Sequence, residues 1–286
     1  HVLSIADGEV KTLTNSASAE VESDDLVIPS ILRFSSYDGT VVPGVFYLPA
    51  DASPEKKAPA LIWVHGGPGG QSFPRYNPEL QFLVNHGYAV YAVNNRGSSG
   101  YGKSFFKAAD HKHGEADLDD CVAAAQYLAT MEEIDSERIG IIGGSYGGYM
   151  VLAALAFRPK VFKIGVDIFG VSNWVRTLKE IPSWWRAIKD LLYRKIGDPF
   201  GEEEYLRSIS PLFHASKIER PLLVLQGVND PRVLKVESDE IVQKAREKGV
   251  PTGYVVFDDE GHGFTRKVNR ITAAKAMLEF LDRYLV

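Results

Sequence analysis

The sequence predicts an α/β protein with a mostly parallel twisted sheet, helices on both faces of that sheet and an antiparallel amino-terminal edge. The chain has 286 residues, of which 45% are hydrophobic and 24% charged, as in globular enzyme domains. Strand-like and helix-like segments alternate along most of the chain, which is typical of a parallel sheet covered by helices. Hairpin-type turns near the start separate short β-rich runs and predict antiparallel strands there.

The amino-terminal residues differ from the rest of the sequence. Residues 1–14 contain short alternating runs around the turn Asp7-Gly8, and residues 15–24 are small, polar and acidic, as in a linker. We interpret residues 1–24 as the remnant hairpin and linker of a preceding segment. Residues 25–286 are then the main domain.

The main domain begins with two β-rich runs and continues as alternating strands and helices. The runs 25–34 and 41–48 are joined through Tyr37-Asp38-Gly39-Thr40, a second hairpin signal that fits antiparallel edge strands. Apolar runs predict strands at 58–65, 88–94, 138–143, 161–169, 221–226 and 253–257. Helical spacing of apolar residues predicts helices at 78–86, 115–131, 146–156, 234–248 and 269–285.

The segment 170–216 interrupts this alternation. It holds Trp174, Trp184, Trp185 and Tyr193 among short helical patterns, between two predicted sheet strands. Open α/β sheets bind ligands at the carboxyl ends of their strands. We therefore interpret the segment as an insertion near the active site, whose tryptophans either pack or line a hydrophobic pocket.

Ser145 is the predicted nucleophile of a serine hydrolase. The stretch Gly143-Gly-Ser-Tyr-Gly147 has G-x-S-x-G spacing and lies between a predicted strand and a predicted helix. This spacing is typical of the α/β-hydrolase fold, because flanking glycines let the chain turn sharply and expose the serine hydroxyl. The alternative is a glycine-rich turn with a bystander serine.

A serine hydroxyl needs a base, and His262 is the candidate. In α/β-hydrolases the catalytic residues follow the order serine, acid, histidine, and only His214 and His262 follow Ser145. His262 lies between glycines in a loop after a predicted strand, whereas His214 lies in the insertion and is expected to be packed or at the surface.

Asp230 is the candidate acid that would orient this histidine. It directly follows the strand predicted at 221–226, at the sheet edge that also carries Ser145. Four other carboxyl groups compete for this role. Asp167 lies within a predicted strand, and the other three lie close to His262 in sequence: Asp258, Asp259 and Glu260.

Acyl transfer also needs hydrogen-bond donors for the oxyanion. One expected donor is the amide of Tyr146, and the other is the amide of Gly67 in the turn His65-Gly-Gly-Pro68. Glycine-rich turns also hold phosphates, but no Gly-Lys-Ser/Thr follows this one, which argues against a nucleotide site. His65 itself is expected to be structural.

We predict no cofactor and no metal. His111 and His113 could in principle bind a metal, but no ligand pattern accompanies them, and we interpret them as residues of a solvated loop. Cys121 is expected to be a packed thiol. A single cysteine excludes an intrachain disulfide and favours a cytoplasmic location.

Charge and hydropathy restrict the partners. The net charge of −5 argues against nucleic acid and anionic membranes, and no apolar run is long enough to span a bilayer. We expect a small peptide or ester as the substrate, no nucleic-acid or membrane partner, and a homo-oligomer as a possible state.

Residues 25–286 resemble the catalytic domain of the prolyl oligopeptidase family of serine peptidases, closest to its acylaminoacyl peptidase and dipeptidyl aminopeptidase branches. The motifs that carry this resemblance are Tyr37-Asp-Gly-Thr40, His65-Gly-Gly-Pro68, Asn95-Arg-Gly-Ser-Ser-Gly-Tyr-Gly102, Gly143-Gly-Ser-Tyr-Gly-Gly148 and Asp259-Glu-Gly-His-Gly-Phe264. The resemblance implies that Arg232 binds a peptide carbonyl of the substrate. It also implies that Val171, Trp174 and Val233 line a specificity pocket, bordered by Tyr146, for an apolar side chain or proline.

The function implied is cleavage of short or amino-blocked peptides through an acyl-enzyme; the alternative is a broad carboxylesterase for short-chain esters. Arg232 favours the peptidase. Family members normally carry a β-propeller before this domain, whereas only the hairpin-like residues 1–14 are expected here. Without a propeller, we expect the site to be open, which favours broad ester activity. Dipeptidyl members bind the substrate's amino terminus through glutamates of the propeller, so the sequence does not imply that activity. A third hypothesis is a non-catalytic binding domain on the same scaffold.

Overall fold

The computed structural model describes residues 1–14 and 20–286, so the first half of the predicted linker, residues 15–19, lies outside the described residues. Near the start, two short strands pair antiparallel across the turn at Asp7-Gly8: β1 (Val2–Leu3) and β2 (Val10–Lys11). The remaining strands are β3 (Ser30–Ser35), β4 (Val41–Tyr47), β5 (Ala58–Val64), β6 (Ala89–Val93), β7 (Ile134–Gly144), β8 (Gly165–Ile168), β9 (Leu222–Gly227) and β10 (Thr252–Phe257).

Strands β3 to β10 form one sheet in the spatial order β10-β9-β8-β7-β5-β6-β4-β3. The pairs from β10 to β6 are parallel, whereas β4 pairs antiparallel with both β6 and β3. The mostly parallel sheet with an antiparallel amino-terminal edge is confirmed.

Helices cover both faces of this sheet. Their bounds are α1 (Pro78–Asn85), α2 (Lys103–Lys107), α3 (Ala116–Leu128), α4 (Tyr146–Phe157), α5 (Trp174–Lys179), α6 (Arg186–Lys195), α7 (Glu203–Ser208), α8 (Lys235–Glu247) and α9 (Lys267–Tyr284). Buried residues of α3 and α4 form one core layer with Ile62 and Val64 of β5, while α1 and α9 pack with Leu61 on the other face. Alternating side chains of a buried strand thus serve two cores.

Several elements differ from the sequence prediction. Strand β7 begins at Ile134, four residues before the predicted strand, because Ile134 pairs with Ala58 of β5. The register between the two strands then shifts before Ala60 pairs with Ile139. Strand β8 is shorter than predicted, and the five-residue helix α2 was missed. Helices α5, α6 and α7 lie in the predicted insertion between β8 and β9. Across the described parts of the chain, no helix has the length and hydropathy of a membrane span.

Candidate active site

Ser145 occupies the sharp turn between β7 and α4. Its backbone has φ 59° and ψ −119°, a strained conformation for a residue with a side chain. Its amide donates a 2.9 Å hydrogen bond to the carbonyl oxygen of Ile168, which anchors the turn to β8.

The glycines of the motif are required by close packing around this turn. A Cβ on Gly147 would lie 2.1 Å from the carbonyl oxygen of Val64, and a Cβ on Gly143 would lie 2.6 Å from the Gly147 backbone. The helix therefore starts directly against β5, and this contact fixes the direction in which Ser145 is presented.

His262 reaches Ser145 from the loop after β10. Its Nε2 lies 2.9 Å from the Ser145 Oγ, and its ring packs against Phe169 with centroids 4.7 Å apart. The neighbouring Gly263 has φ 131°, a conformation that favours glycine. The imidazole is held between an aromatic ring and the serine, and only 10% of its side-chain surface is exposed.

Asp230 holds the other side of this imidazole. The Nδ1–H of His262 donates to Asp230 Oδ2 at 2.6 Å. The second carboxylate oxygen, Oδ1, accepts the amides of Arg232 at 2.8 Å and Val233 at 3.0 Å. This side chain is fully buried, and each of its oxygens has a partner. The histidine tautomer is therefore set with Nε2 free to accept the serine proton.

The competing carboxyl groups have other partners. Asp167 is buried beside Gly148 and accepts the amide of Gly170 at 2.8 Å, and burial raises its pKa to about 7. Glu260 accepts the amides of Thr265 and Arg266. Asp259 pairs with Arg266, and Asp258 is exposed. The carboxylate that contacts His262 is that of Asp230.

The turn expected to complete an oxyanion hole lies next to the serine. A Cβ on Gly66 would lie 3.7 Å from the Ser145 Cβ, and a Cβ on Gly67 would lie 2.6 Å from the Gly69 amide nitrogen. The turn is therefore tight, and the exposed Gly67 sits at its outer end. The amide of Tyr146 opens α4 directly after the serine, where the unpaired amides of a helix start favour negative charge.

His65 supports this turn from behind. It is buried, and burial lowers its pKa, which favours the neutral imidazole. Its Nδ1 lies 2.8 Å from the carbonyl oxygen of Gly66, and its Nε2 lies 2.8 Å from the Ser98 Oγ, whose own proton is donated to the Asn95 carbonyl oxygen at 2.6 Å. The structure therefore places this histidine in a supporting role, as expected.

Three of the residues expected to bind substrate share a buried cluster with Tyr146, the residue that follows the serine. Val171, Trp174 and Val233 are buried in one hydrophobic cluster with Tyr146. The Trp174 and Tyr146 ring centroids are 6.2 Å apart. Arg232 is exposed, and its guanidinium carbon lies 5.1 Å from the Trp185 ring centroid.

The sequence prediction for His113 was wrong. His111 is exposed, but His113 is 1% exposed, and its Nδ1 lies 3.0 Å from Asp117 Oδ2. The Tyr146 hydroxyl hydrogen-bonds to both His113 and Asp117. The spacing of four residues between His113 and Asp117, at the start of α3, was the sequence feature that could have indicated their contact. Within the described ranges, no group of three metal-ligating side chains converges.

A strained serine at a strand-to-helix turn, bonded through a histidine to a buried aspartate on a mostly parallel sheet, defines an α/β-hydrolase. Comparison with known proteins gives the family. The model of the prolyl oligopeptidase family matches residues 74–286, so the chain belongs to this family of peptidases, as its motifs predicted.

Relatives and solved structures agree with this assignment. The chain is 39% identical over 273 residues to dipeptidyl aminopeptidase BIII of Pseudoxanthomonas mexicana, covering 92% of this chain and 40% of that protein. A Mycobacterium tuberculosis puromycin-hydrolyzing peptidase superposes with a TM-score of 0.91 at 30% identity, covering 99% of this chain and 43% of that one. For the Pyrococcus horikoshii acylaminoacyl peptidase the TM-score is 0.81 at 30% identity, covering 91% and 42%. The chain spans about two-fifths of the length of these proteins.

Proposed function

We propose that this chain is the catalytic domain of a serine peptidase that cleaves short or amino-blocked peptides through an acyl-enzyme. The observation that carries the proposal is the hydrogen-bond chain from Ser145 through His262 to Asp230, with distances of 2.9 and 2.6 Å. These distances lie within the range that proton transfer requires.

In this proposal His262 acts as base and then as acid. Its Nε2 accepts the proton of the Ser145 hydroxyl as the oxygen attacks the peptide carbonyl. The resulting imidazolium is stabilised by the buried carboxylate of Asp230 and returns the proton to the leaving amine. Water then attacks the acyl-enzyme with the same base, releasing the acid product and restoring the serine.

The oxyanion that forms during attack is assigned to two amides. We assign these roles to the N–H groups of Tyr146 and Gly67: the first lies at the start of α4, and the second belongs to the turn whose Gly66 adjoins the serine. Donors held by backbone geometry need no rearrangement as charge develops, and each contributes about a hundred- to a thousandfold in turnover.

The surroundings of Ser145 support a peptide substrate. Val171, Trp174 and Val233 belong to the same buried cluster as Tyr146, and the Trp174 ring lies 6.2 Å from the Tyr146 ring, which supports a pocket for an apolar side chain or proline. Arg232 is exposed next to this cluster and can donate to a peptide carbonyl. A related acylaminoacyl peptidase, 30% identical, is in complex with Z-Gly-Gly-Phe-chloromethyl ketone, a peptide blocked at its amino end.

A second candidate activity is dipeptidyl aminopeptidase cleavage, which is favoured by the 39% identity to dipeptidyl aminopeptidase BIII. That reaction requires a free amino terminus on the substrate, whereas acylaminoacyl cleavage requires a blocked one. The broad esterase alternative shares the same triad and differs in the bond that is cleaved.

The proposal is tested by active-site labelling followed by substrate comparison. A fluorophosphonate probe should label the wild-type protein but not Ser145→Ala. It should also label the control Ser208→Ala, because the exposed Ser208 hydroxyl of the wild type donates to the Tyr205 carbonyl oxygen and lies outside the triad. No labelling of the folded wild-type protein would overturn the proposal.

Three chromogenic substrates then separate the activities: an acetyl-peptide anilide, the same anilide with a free amino terminus, and a short nitrophenyl ester. We expect the acetyl-peptide anilide to be cleaved most efficiently. Preference for the free amino terminus would support the dipeptidyl activity, and turnover of the ester alone would support the esterase.

A further inference from the structure

We infer that Glu237 is a specificity-determining positioning residue whose carboxylate holds the pocket loop, residues 170–174, against the reactive serine. The inference rests on the proposed function and concerns which substrate side chain fits beside Ser145. Glu237 lies on α8, outside the catalytic residues, and is 1% exposed.

The carboxylate of Glu237 binds the backbone of the pocket loop directly. Its Oε2 accepts the amide of Asn173 at 2.6 Å and the amide of Ser172 at 3.1 Å. The Ser172 hydroxyl lies 2.7 Å from the same oxygen. Hydrogen bonds to a buried carboxylate are stronger than those between neutral groups, so the loop is fixed at its centre.

The second carboxylate oxygen and a serine hydroxyl extend this attachment. Glu237 Oε1 accepts from Arg176 at 3.4 Å and lies 3.5 Å from the Thr177 hydroxyl, both on α5, which follows the loop. The amide of Trp174 donates to the Ser210 hydroxyl at 2.9 Å. The loop is therefore held through its backbone from both sides.

The loop position sets the space beside the nucleophile. At its start, a Cβ on Gly148 in the first turn of α4 would lie 2.6 Å from the Gly170 Cα. At its end, the Trp174 ring lies 6.2 Å from the Tyr146 ring and 5.0 Å from the Tyr149 ring. A displacement of the loop therefore moves Trp174 relative to the residue that follows Ser145.

A carboxylate suits this position better than an amide. Both of its oxygens accept hydrogen bonds here, and every facing group is a donor. A glutamine would keep the volume but would turn an NH₂ group towards either the loop amides or the Arg176 guanidinium, so it would lose part of the attachment.

The test measures kcat/KM of the variants Glu237→Gln and Glu240→Gln with two amino-blocked peptide anilides. One substrate has Phe before the scissile bond, and the other has Ala. Glu240 pairs with the same Arg176 at 2.6 Å from the next turn of α8 and, among the residues that the structure describes, makes no hydrogen bond to the pocket loop. Fluorophosphonate labelling of each variant reports separately whether Ser145 is reactive.

We expect Glu237→Gln to lower kcat/KM for the Phe substrate about tenfold, mainly through KM, and to change the Ala substrate less than about threefold. Glu240→Gln should keep the wild-type Phe/Ala ratio. An unchanged ratio in a labelled Glu237→Gln protein would overturn the inference, whereas a wild-type protein that is not labelled would overturn the proposed function instead.

Ser172→Ala provides an independent variant if Glu237→Gln does not fold. It removes one donor to Glu237 and leaves the two amides in place. The Phe/Ala ratio should fall in the same direction by a smaller factor. A ratio equal to that of the wild type in this variant would also count against the inference.

Discussion

The phenol of Tyr146 donates a hydrogen bond to the buried carboxylate of Asp117. Asp117 lies in the first turn of α3, and its other oxygen accepts the amide of Gly114 at 2.8 Å. Because Tyr146 directly follows Ser145, this bond attaches the start of α4 to α3. The carboxylate therefore fixes the ring of a residue whose amide is assigned to the oxyanion hole.

Removing this phenol should cost stability. In Tyr146→Phe, Asp117 loses a donor and His113 loses its hydroxyl partner in a site closed to water. We expect the free energy of unfolding to fall by about 1–3 kcal/mol in denaturant titrations. The matched control is Tyr149→Phe, because the Tyr149 hydroxyl is also buried on α4 but, in the described structure, makes no hydrogen bond to Asp117 or His113. Equal losses in both variants would contradict this account.

Replacing Asp230 by Asn should remove most activity without unfolding the protein. Its Oδ1 accepts two loop amides, so the new amide oxygen will take that place and the NH₂ group will face His262 Nδ1. The imidazole must then carry its proton on Nε2 and cannot accept the Ser145 proton. We expect kcat to fall about 10⁴-fold.

The control for this variant is Asp259→Asn, a competing acid that pairs with Arg266 instead of His262. Its kcat should stay within about twofold of the wild-type value. Loss of activity in Asp259→Asn, with activity retained in Asp230→Asn, would reassign the acid.

The buried carboxyl of Asp167 should make stability depend on pH. Burial raises its pKa to about 7, whereas a carboxyl in an unfolded chain ionises near pH 4. Between these values the folded state keeps a proton that the unfolded state releases, so this group lowers stability as the pH rises from about 4 to about 7.

Asp167→Asn removes this titration. The stability of the variant relative to wild type should therefore rise with pH over that window, by up to about 4 kcal/mol, and level off above it. Thermal unfolding from pH 4 to pH 8 measures the difference, with the exposed Asp258→Asn as the control for loss of one carboxylate. A difference independent of pH would refute the prediction.

Gly147→Ala should destabilise the protein although alanine normally favours helices. The added Cβ would lie 2.1 Å from the Val64 carbonyl oxygen, so β5 and α4 would have to separate. We expect a loss of about 3 kcal/mol in the free energy of unfolding. Gly201→Ala, where the nearest atom is 3.6 Å away, should change it by less than about 0.5 kcal/mol. A stabilised Gly147→Ala protein would contradict the close contact.

The parts of the fold that depend on local pattern could be predicted from the sequence. The apolar strands and the spaced helices produce a signal within each segment, and the G-x-S-x-G turn places Ser145 without knowledge of distant residues. Asp230 and His262 follow from the order of strands, because the carboxyl ends of parallel strands meet at one edge.

The remaining features depend on contacts between distant segments. His113 is buried because Tyr146, far along the chain, closes over it; the four-residue spacing indicates its contact with Asp117 but not its contact with Tyr146. The role of Glu237 likewise depends on a loop that precedes it by about 65 residues. The early start of β7 at Ile134 depends on pairing with Ala58, beyond an irregular register that its own residues do not encode.

The turn from Asp230 to Val233 combines two tasks in four residues. The backbone amides of Arg232 and Val233 orient the carboxylate, while their side chains lie at the exposed edge and in the apolar cluster. Side-chain exchange at positions 232 and 233 therefore leaves the acid in place, whereas a one-residue insertion or deletion disturbs it. Mutant libraries that aim to change the substrate range of this enzyme should vary the residues at positions 232 and 233 and keep the length of the turn constant.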